Sequence, residues 1–218
     1  MNLQPLHLLP ARDRVASALR KAILAGELKQ DEQITLEAIA GLLGVSRTPV
    51  REAFLILENE GLIRILPNKR VVVLGMTEKN LREHYQIRAA LESEAVALCC
   101  REGAQLGEIR AVLEQSQAVI GREDYEEYGN LNQAFHLAVW TAAGNERLQS
   151  MLAVMWNGLS LHAMETMESY ARKSLKEHEQ IVQALLTHDE ESARRLMRGH
   201  ILRSMEDMLS NLFEEQAE

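Results

Sequence analysis

A chain of 218 residues with 46% hydrophobic and 26% charged side chains can bury one large core or two small ones, and that balance excludes a disordered chain. Its formal charge of −8 divides unevenly: residues 1–76 hold ten Lys and Arg against eight Asp and Glu, residues 77–218 fourteen against twenty-four. No apolar run approaches the roughly 20 residues of a membrane span. The first residues have neither a basic lead nor a small-residue cleavage site, and the adjacent Cys99 and Cys100 suit neither a disulfide nor a zinc site, so a soluble cytoplasmic protein with no membrane role is expected.

The first 75 residues predict three helices and a hairpin. Arg12–Leu28 puts Val15, Leu19, Ile23 and Leu24 on one face before Gly26. Thr35 is placed to cap a short second helix whose Leu36, Ile39, Ala40 and Leu43 face inward, and Gly44-Val45 turns the chain. Ser46 is a suitable N-cap for a third helix, with Pro49 in its first turn and Val50, Phe54, Leu57 and Leu62 directed to the core up to Gly61. Two β-prone runs, Leu62–Leu66 and Val71–Leu74, flank Pro67-Asn68-Lys69-Arg70. This order is that of a winged helix-turn-helix.

The outward face of the third helix carries the chemistry of this half. Arg47, Thr48 and Arg51 lie in its first turn and a half, where a recognition helix meets base edges, and an arginine fork can hold O6 and N7 of guanine together. Ser46 and Thr48 are candidates for phosphate contacts at the positive end of the helix, Lys69 and Arg70 for the minor groove or backbone. The bland alternative is a solvated face with Arg47 and Arg51 paired to Glu52 or Glu58.

All four prolines, Pro5, Pro10, Pro49 and Pro67, precede residue 68. The charge changes at nearly the same place, so residues 1–75 and 76–218 are expected to be separate domains. The second half predicts six helices in an antiparallel bundle, at about 77–102, 106–120, 124–142, 145–165, 169–187 and 190–214, with Thr77 and Asp189 capping the first and last. His136, His178 and His200 take comparable places on the third, fifth and sixth helices, and Asn132 shares a helical face with His136. Three converging imidazoles would suit Zn, Ni, Cu or Fe; three packed, hydrogen-bonded histidines are the alternative. His84, His162 and His188 join no such group. The methionines, Met151, Met155, Met164, Met167, Met197, Met205 and Met208 among them, have helical spacing and read as core.

The run GVSRTPVREA at 44–53, followed by LENEGLI, resembles the signature of the GntR family of bacterial transcription regulators, and the likeness spans residues 12–74. It implies double-stranded DNA as partner, a homodimer on a short palindrome, base contacts by Arg47 and Arg51, and support from Ser46 and Thr48. Many relatives carry arginine where this chain has Glu37, and a wing glycine where it has Arg70.

The second half resembles the FCD effector domain of the FadR subfamily, through IRAALESEAVAL (87–98), NQAFHLAVWTAAGN (132–145), HEQIVQALLTHDEESARRLM (178–197) and RGHI (198–201). That resemblance implies a divalent metal such as Zn, Ni or Fe, held by His136, His178 and His200, with Asn132 at the position where the family has aspartate. It also implies a small carboxylate effector docking on the metal. Arg88 would clamp the effector and Tyr85 line the pocket; an Arg88–Glu92 surface pair is the plain alternative for Arg88. The whole therefore reads as a ligand-responsive regulator, by default a repressor released by a metabolite. A metal-sensing regulator is the second reading and a helical metalloenzyme the third.

Overall fold

A computed structural model describes residues 10–67, 70–156 and 167–214. These form two compact units, divided near residue 80.

The first unit runs α1 (Ala11–Leu24), β1 (Gln33–Ile34), α2 (Leu36–Leu43), α3 (Arg47–Asn59), β2 (Ile63–Ile65) and β3 (Val71–Val73). Val15, Leu19 and Ile23 recur along one face of α1 and meet Val50, Phe54 and Leu57 of α3 in a single apolar core. Burying each of these larger side chains contributes roughly 1.5–3 kcal/mol. One charged pair enters that core: Arg20 on α1 donates from Nε and Nη2 to the Glu60 carboxylate at 2.8 and 2.6 Å, and Glu60 immediately follows α3. Thr35 caps α2 by accepting from the Ala38 N–H. Ser46 holds the N-cap position of α3 in extended backbone, without a capping bond from its side chain.

As the sequence reading has it, Gly26 ends the first helix: the helix stops at Leu24, Ala25 caps it, and Gly26 follows with φ +70°. Two details depart from that reading. The expected hairpin is the larger part of a three-stranded antiparallel sheet of order β1-β3-β2, because Gln33 and Ile34 pair with Val72 and Val71. Two residues are too few to announce a strand by alternation. Leu43, expected inside, is exposed, since α2 reaches the core through Ile39 and Ala40 and the chain turns away at the left-handed Gly44. At Gly61, φ is +72°, a left-handed backbone that favours glycine, and a Cβ there would have to push the Asn80 amide aside.

The second unit holds α4 (Glu78–Leu98), α5 (Gly107–Gly121), α6 (Tyr125–Ala142), α7 (Glu146–Met155), α8 (Met167–Leu186) and α9 (Glu190–Leu209), closing in a π-helical turn at Ser210–Glu214. Four of these helices begin with a side chain accepting a backbone N–H: Thr77, Asp124, Asn145 and Asp189 bond Asn80, Glu127, Leu148 and Ser192. Helix α5 packs on α6 and α8, and α8 on α6 and α9. Tyr128, Phe135, Leu152, Ile181, Leu185 and Met197 fill the interior. The last five helices match the expected positions except that α7 stops at Met155, and α4 ends at Leu98, before Gly103. No helix among the described residues is long and apolar enough to cross a membrane.

Candidate functional site

In the N-terminal unit, Ser46, Arg47, Thr48 and Arg51 all stand exposed at the start of α3, opposite the buried Val50, Ala53 and Phe54. Arg47 takes neither Glu52 nor Glu58, the partners that the solvated-face alternative gave it. Arg47 Nη1 lies 3.4 Å from Glu37 Oε1 on α2, with both side chains largely in solvent, and Glu58 instead accepts the Ile65 N–H at 2.7 Å, tying α3 to β2. An exposed pair of this kind holds its partners loosely, so Arg47 can exchange Glu37 for another acceptor at little cost. Arg70 is exposed and donates to Gln33 Oε1 beside the sheet. Lys69 lies outside the described residues, as does His162.

In the helical unit the three histidines come together from three helices. His136 of α6, His178 of α8 and His200 of α9 are each 2% exposed or less, and one ligand nitrogen from each lies within 4.8 Å of the others. His200 Nε2 is central, 3.3 Å from His136 Nε2 and 3.3 Å from His178 Nε2. Burial is the chief reason that all three rings sit below the usual histidine range, His200 at about 4, so they are neutral near pH 7. His178 stacks on Phe135, centroids 3.8 Å apart and planes 11° from parallel.

Two carboxylates stand behind this cluster, and sequence reasoning missed both as members of the site. Glu92 of α4 is fully buried and meets His136 Nδ1 at 3.1 Å, Trp140 Nε1 at 2.8 Å, and Nε and Nη2 of Arg88 at 3.2 and 3.1 Å. Burial opposes its charge, but the His136 ring, the Arg88 guanidinium and the Trp140 N–H outweigh that and hold the carboxyl at about 2. Glu177 of α8 meets His200 Nδ1 at 2.7 Å and takes Nε and Nη2 of Arg203 at 2.9 and 2.6 Å. Burial again opposes its charge, and the His200 and Arg203 hydrogen bonds lower its pKa nonetheless.

Arg88 corrects one expectation. It pairs with Glu92 as the i, i+4 spacing allows, but the pair is buried, not on the surface, and the guanidinium lies 4.4 Å from the Trp156 ring and 5.8 Å from that of Tyr85. Tyr85 is fully buried one turn before Arg88. Asn132, one turn before His136, accepts the Ser174 hydroxyl at 3.3 Å, and Ser174 stands one turn before His178. Asn132 and Ser174 thus bridge α6 and α8 one turn from the histidine level. His188 sits in the turn before α9 and faces the Cys100 carbonyl at 2.9 Å, apart from the cluster.

A winged helix-turn-helix joined to a helical unit with a buried histidine cluster defines a class of DNA-binding regulators, and comparison with known proteins agrees. The model of bacterial regulatory proteins of the gntR family matches residues 11–73, and that of the FCD domain matches residues 83–203. The chain belongs to the GntR family, with the FCD architecture of its FadR subfamily. It is 31% identical to the HTH-type transcriptional regulator YdhC of Bacillus subtilis, over 92% of this chain and 91% of that one. It is 30% identical to the gluconate operon transcriptional repressor of the same organism, over 81% and 76%. The structure of E. coli McbR/YncC superposes with a TM-score of 0.71 at 24% identity, covering 97% of this chain and all of the other, a likeness of fold. These families and relatives are transcription regulators and not enzymes, which sets aside the metalloenzyme reading.

Proposed function

We propose that this GntR-family regulator is a cytoplasmic repressor that binds a short palindromic operator as a homodimer and is released by a small carboxylate metabolite bound beside a divalent metal in the helical domain. The observation that carries the reading is the meeting of three neutral imidazoles at one buried point. Neutral nitrogen donors suit Zn, Ni or Fe, and three protein ligands leave coordination positions for a ligand that is not protein. The donor set fits such a cation: His136, His178 and His200 would hold it, with Asn132 a further oxygen donor that brings no charge. A bound metal would polarise and anchor an anionic ligand there. Arg88, backed by Trp156 and Tyr85, is the cationic side chain available to a carboxylate on the α4 side.

In the N-terminal unit, Arg47 and Arg51 would read base edges, Ser46 and Thr48 would hold phosphates, and Lys69 and Arg70 would serve the wing. Two relatives, one named as a gluconate operon transcriptional repressor and one as a probable D-xylose utilization operon transcriptional repressor, support repression. Effector binding would change operator affinity by a coupling of roughly 1–3 kcal/mol.

The test is a fluorescence-anisotropy titration with the DNA flanking the protein's own gene, in metal-loaded and chelated protein, against a panel of mono-, di- and tricarboxylates. One carboxylate should weaken binding by about 5- to 150-fold in loaded protein only. If chelation by itself changes DNA affinity and no carboxylate acts, the metal is itself the signal. Affinity that neither metal nor carboxylate alters would refute both readings.

A further inference from the structure

The carboxylates behind the histidines carry an inference that rests on the metal reading above and sharpens it. An ionised carboxylate is an acceptor only, so a ring nitrogen held against one must carry the proton. Glu92 meets Nδ1 of His136 and Glu177 meets Nδ1 of His200, at 3.1 and 2.7 Å. A neutral imidazole protonated at Nδ1 has its lone pair at Nε2. The two Nε2 atoms so defined lie 3.3 Å apart, and two lone pairs at that distance repel unless a cation stands between them.

The carboxylates are themselves tethered. Glu92 is held by Arg88 and Trp140, and Glu177 by two nitrogens of Arg203, so each is kept against its ring. His178 differs: its Nε2 is also 3.3 Å from His200 Nε2, but its buried Nδ1 has no hydrogen-bond partner among the described residues, and stacking on Phe135 fixes its ring instead.

We propose that Glu92 and Glu177 are positioning residues for the metal, each accepting the Nδ1–H of one histidine and so aiming the Nε2 lone pairs of His136 and His200 at a common point, with His178 the unbraced third ligand. Outer partners of this kind orient metal-bound histidines and raise their basicity, and removing one typically costs 10–100-fold in metal affinity.

The experiment uses the full-length, chelator-treated, 15N-labelled protein. Long-range proton–nitrogen NMR reads the tautomer of each ring, and calorimetric titration with Ni2+ alone reads the metal. In the wild type, His136 and His200 are expected as Nδ1–H tautomers. Glu177→Gln removes the charge at a partly exposed position and should keep the fold. It is expected to lose the Nδ1–H signature at His200, keep it at His136, and bind Ni2+ 10–100-fold more weakly. Glu92→Gln, whose single acceptor oxygen stays with Arg88 while its amide N–H faces His136, is expected to do the reverse. An Nε2–H tautomer at either braced ring in the wild type, or unchanged Ni2+ affinity in Glu177→Gln, overturns the proposal. Wild-type protein that takes up no Ni2+ while showing the expected tautomers contradicts the metal reading and leaves the bracing established.

Discussion

In the N-terminal unit, Arg47, Thr48 and Arg51 stand exposed on a helix whose other face, Val50, Ala53, Phe54 and Leu57, is buried; in the helical unit, Arg88, Glu92, His136, His178 and His200 are themselves buried. The first arrangement separates stability from function, because an exposed charge can be lost without opening the core. The second joins them. Glu92 is shared there by Arg88, His136 and Trp140, and removing it leaves buried donors in an apolar interior without their acceptor. A protein that must slide over many DNA sequences gains from contacts it can make and release. One that must hold a small ligand selectively gains from groups that are fixed before the ligand arrives.

The largest expected effect comes from breaking the buried set. Glu92→Ala leaves the Arg88 guanidinium, the His136 N–H and the Trp140 N–H without their shared acceptor, and should cost about 3–5 kcal/mol. Urea unfolding of the helical domain measures it. Arg47→Ala should stay within about 0.5 kcal/mol in the same assay, and equal losses in the two variants would erase the contrast.

Acid should act on the same domain in metal-free protein. His200 has its pKa depressed from 6.5 to about 4 in the folded state, so between those values the unfolded chain binds a proton that the folded chain refuses. Its contribution is complete above pH 6.5 and is lost as pH falls toward 4, a change on the order of 3 kcal/mol. His136 and His178 are depressed in the same direction and steepen the loss. Melting temperature followed from pH 7.5 to 4 checks the sign; a helical domain that grows more stable over that range is inconsistent with neutral buried rings.

On the exposed side, Arg47→Ala and Arg51→Ala should each weaken specific DNA binding by about 1–3 kcal/mol, read by anisotropy on the DNA flanking the gene, with the unfolding midpoint unmoved. The smallest effect belongs to Glu37→Gln. The Glu37–Arg47 pair is solvated, so stability should shift by less than about 0.5 kcal/mol. DNA affinity should rise at low salt, because a negative charge beside the exposed arginines of α3 is removed. A fall in affinity would mean that Glu37 itself contacts the DNA.

How much of this was visible in the sequence follows from how local each signal is. The third helix is announced within a dozen residues by Ser46, Pro49 and the spacing of Val50, Phe54 and Leu57. The caps Thr35, Thr77 and Asp189 each lie three residues from the N–H they accept. His136, His178 and His200 could be proposed as a group because each falls at a comparable place on its helix. Glu92 and Glu177 could not. Glu92 lies 44 residues from His136 and Glu177 lies 23 from His200, and either looks like one more acid on a solvated helix. The one local hint was the i, i+4 spacing of Arg88 and Glu92, which equally describes a surface pair. The strand Gln33–Ile34 was hidden for a related reason, since it is defined by pairing with Val71 and Val72 and not by its own pattern.

The most direct test of the account is the metal content of the protein purified without chelator or metal-affinity column. Elemental mass spectrometry would compare it with a His136→Ala, His178→Ala double variant. The account predicts about one equivalent of Zn, Ni or Fe per chain, absent from the variant. A wild-type protein free of transition metal that also fails to take up added Zn2+ or Ni2+ would contradict it, leaving the three histidines as packed, hydrogen-bonded residues of a metal-free pocket.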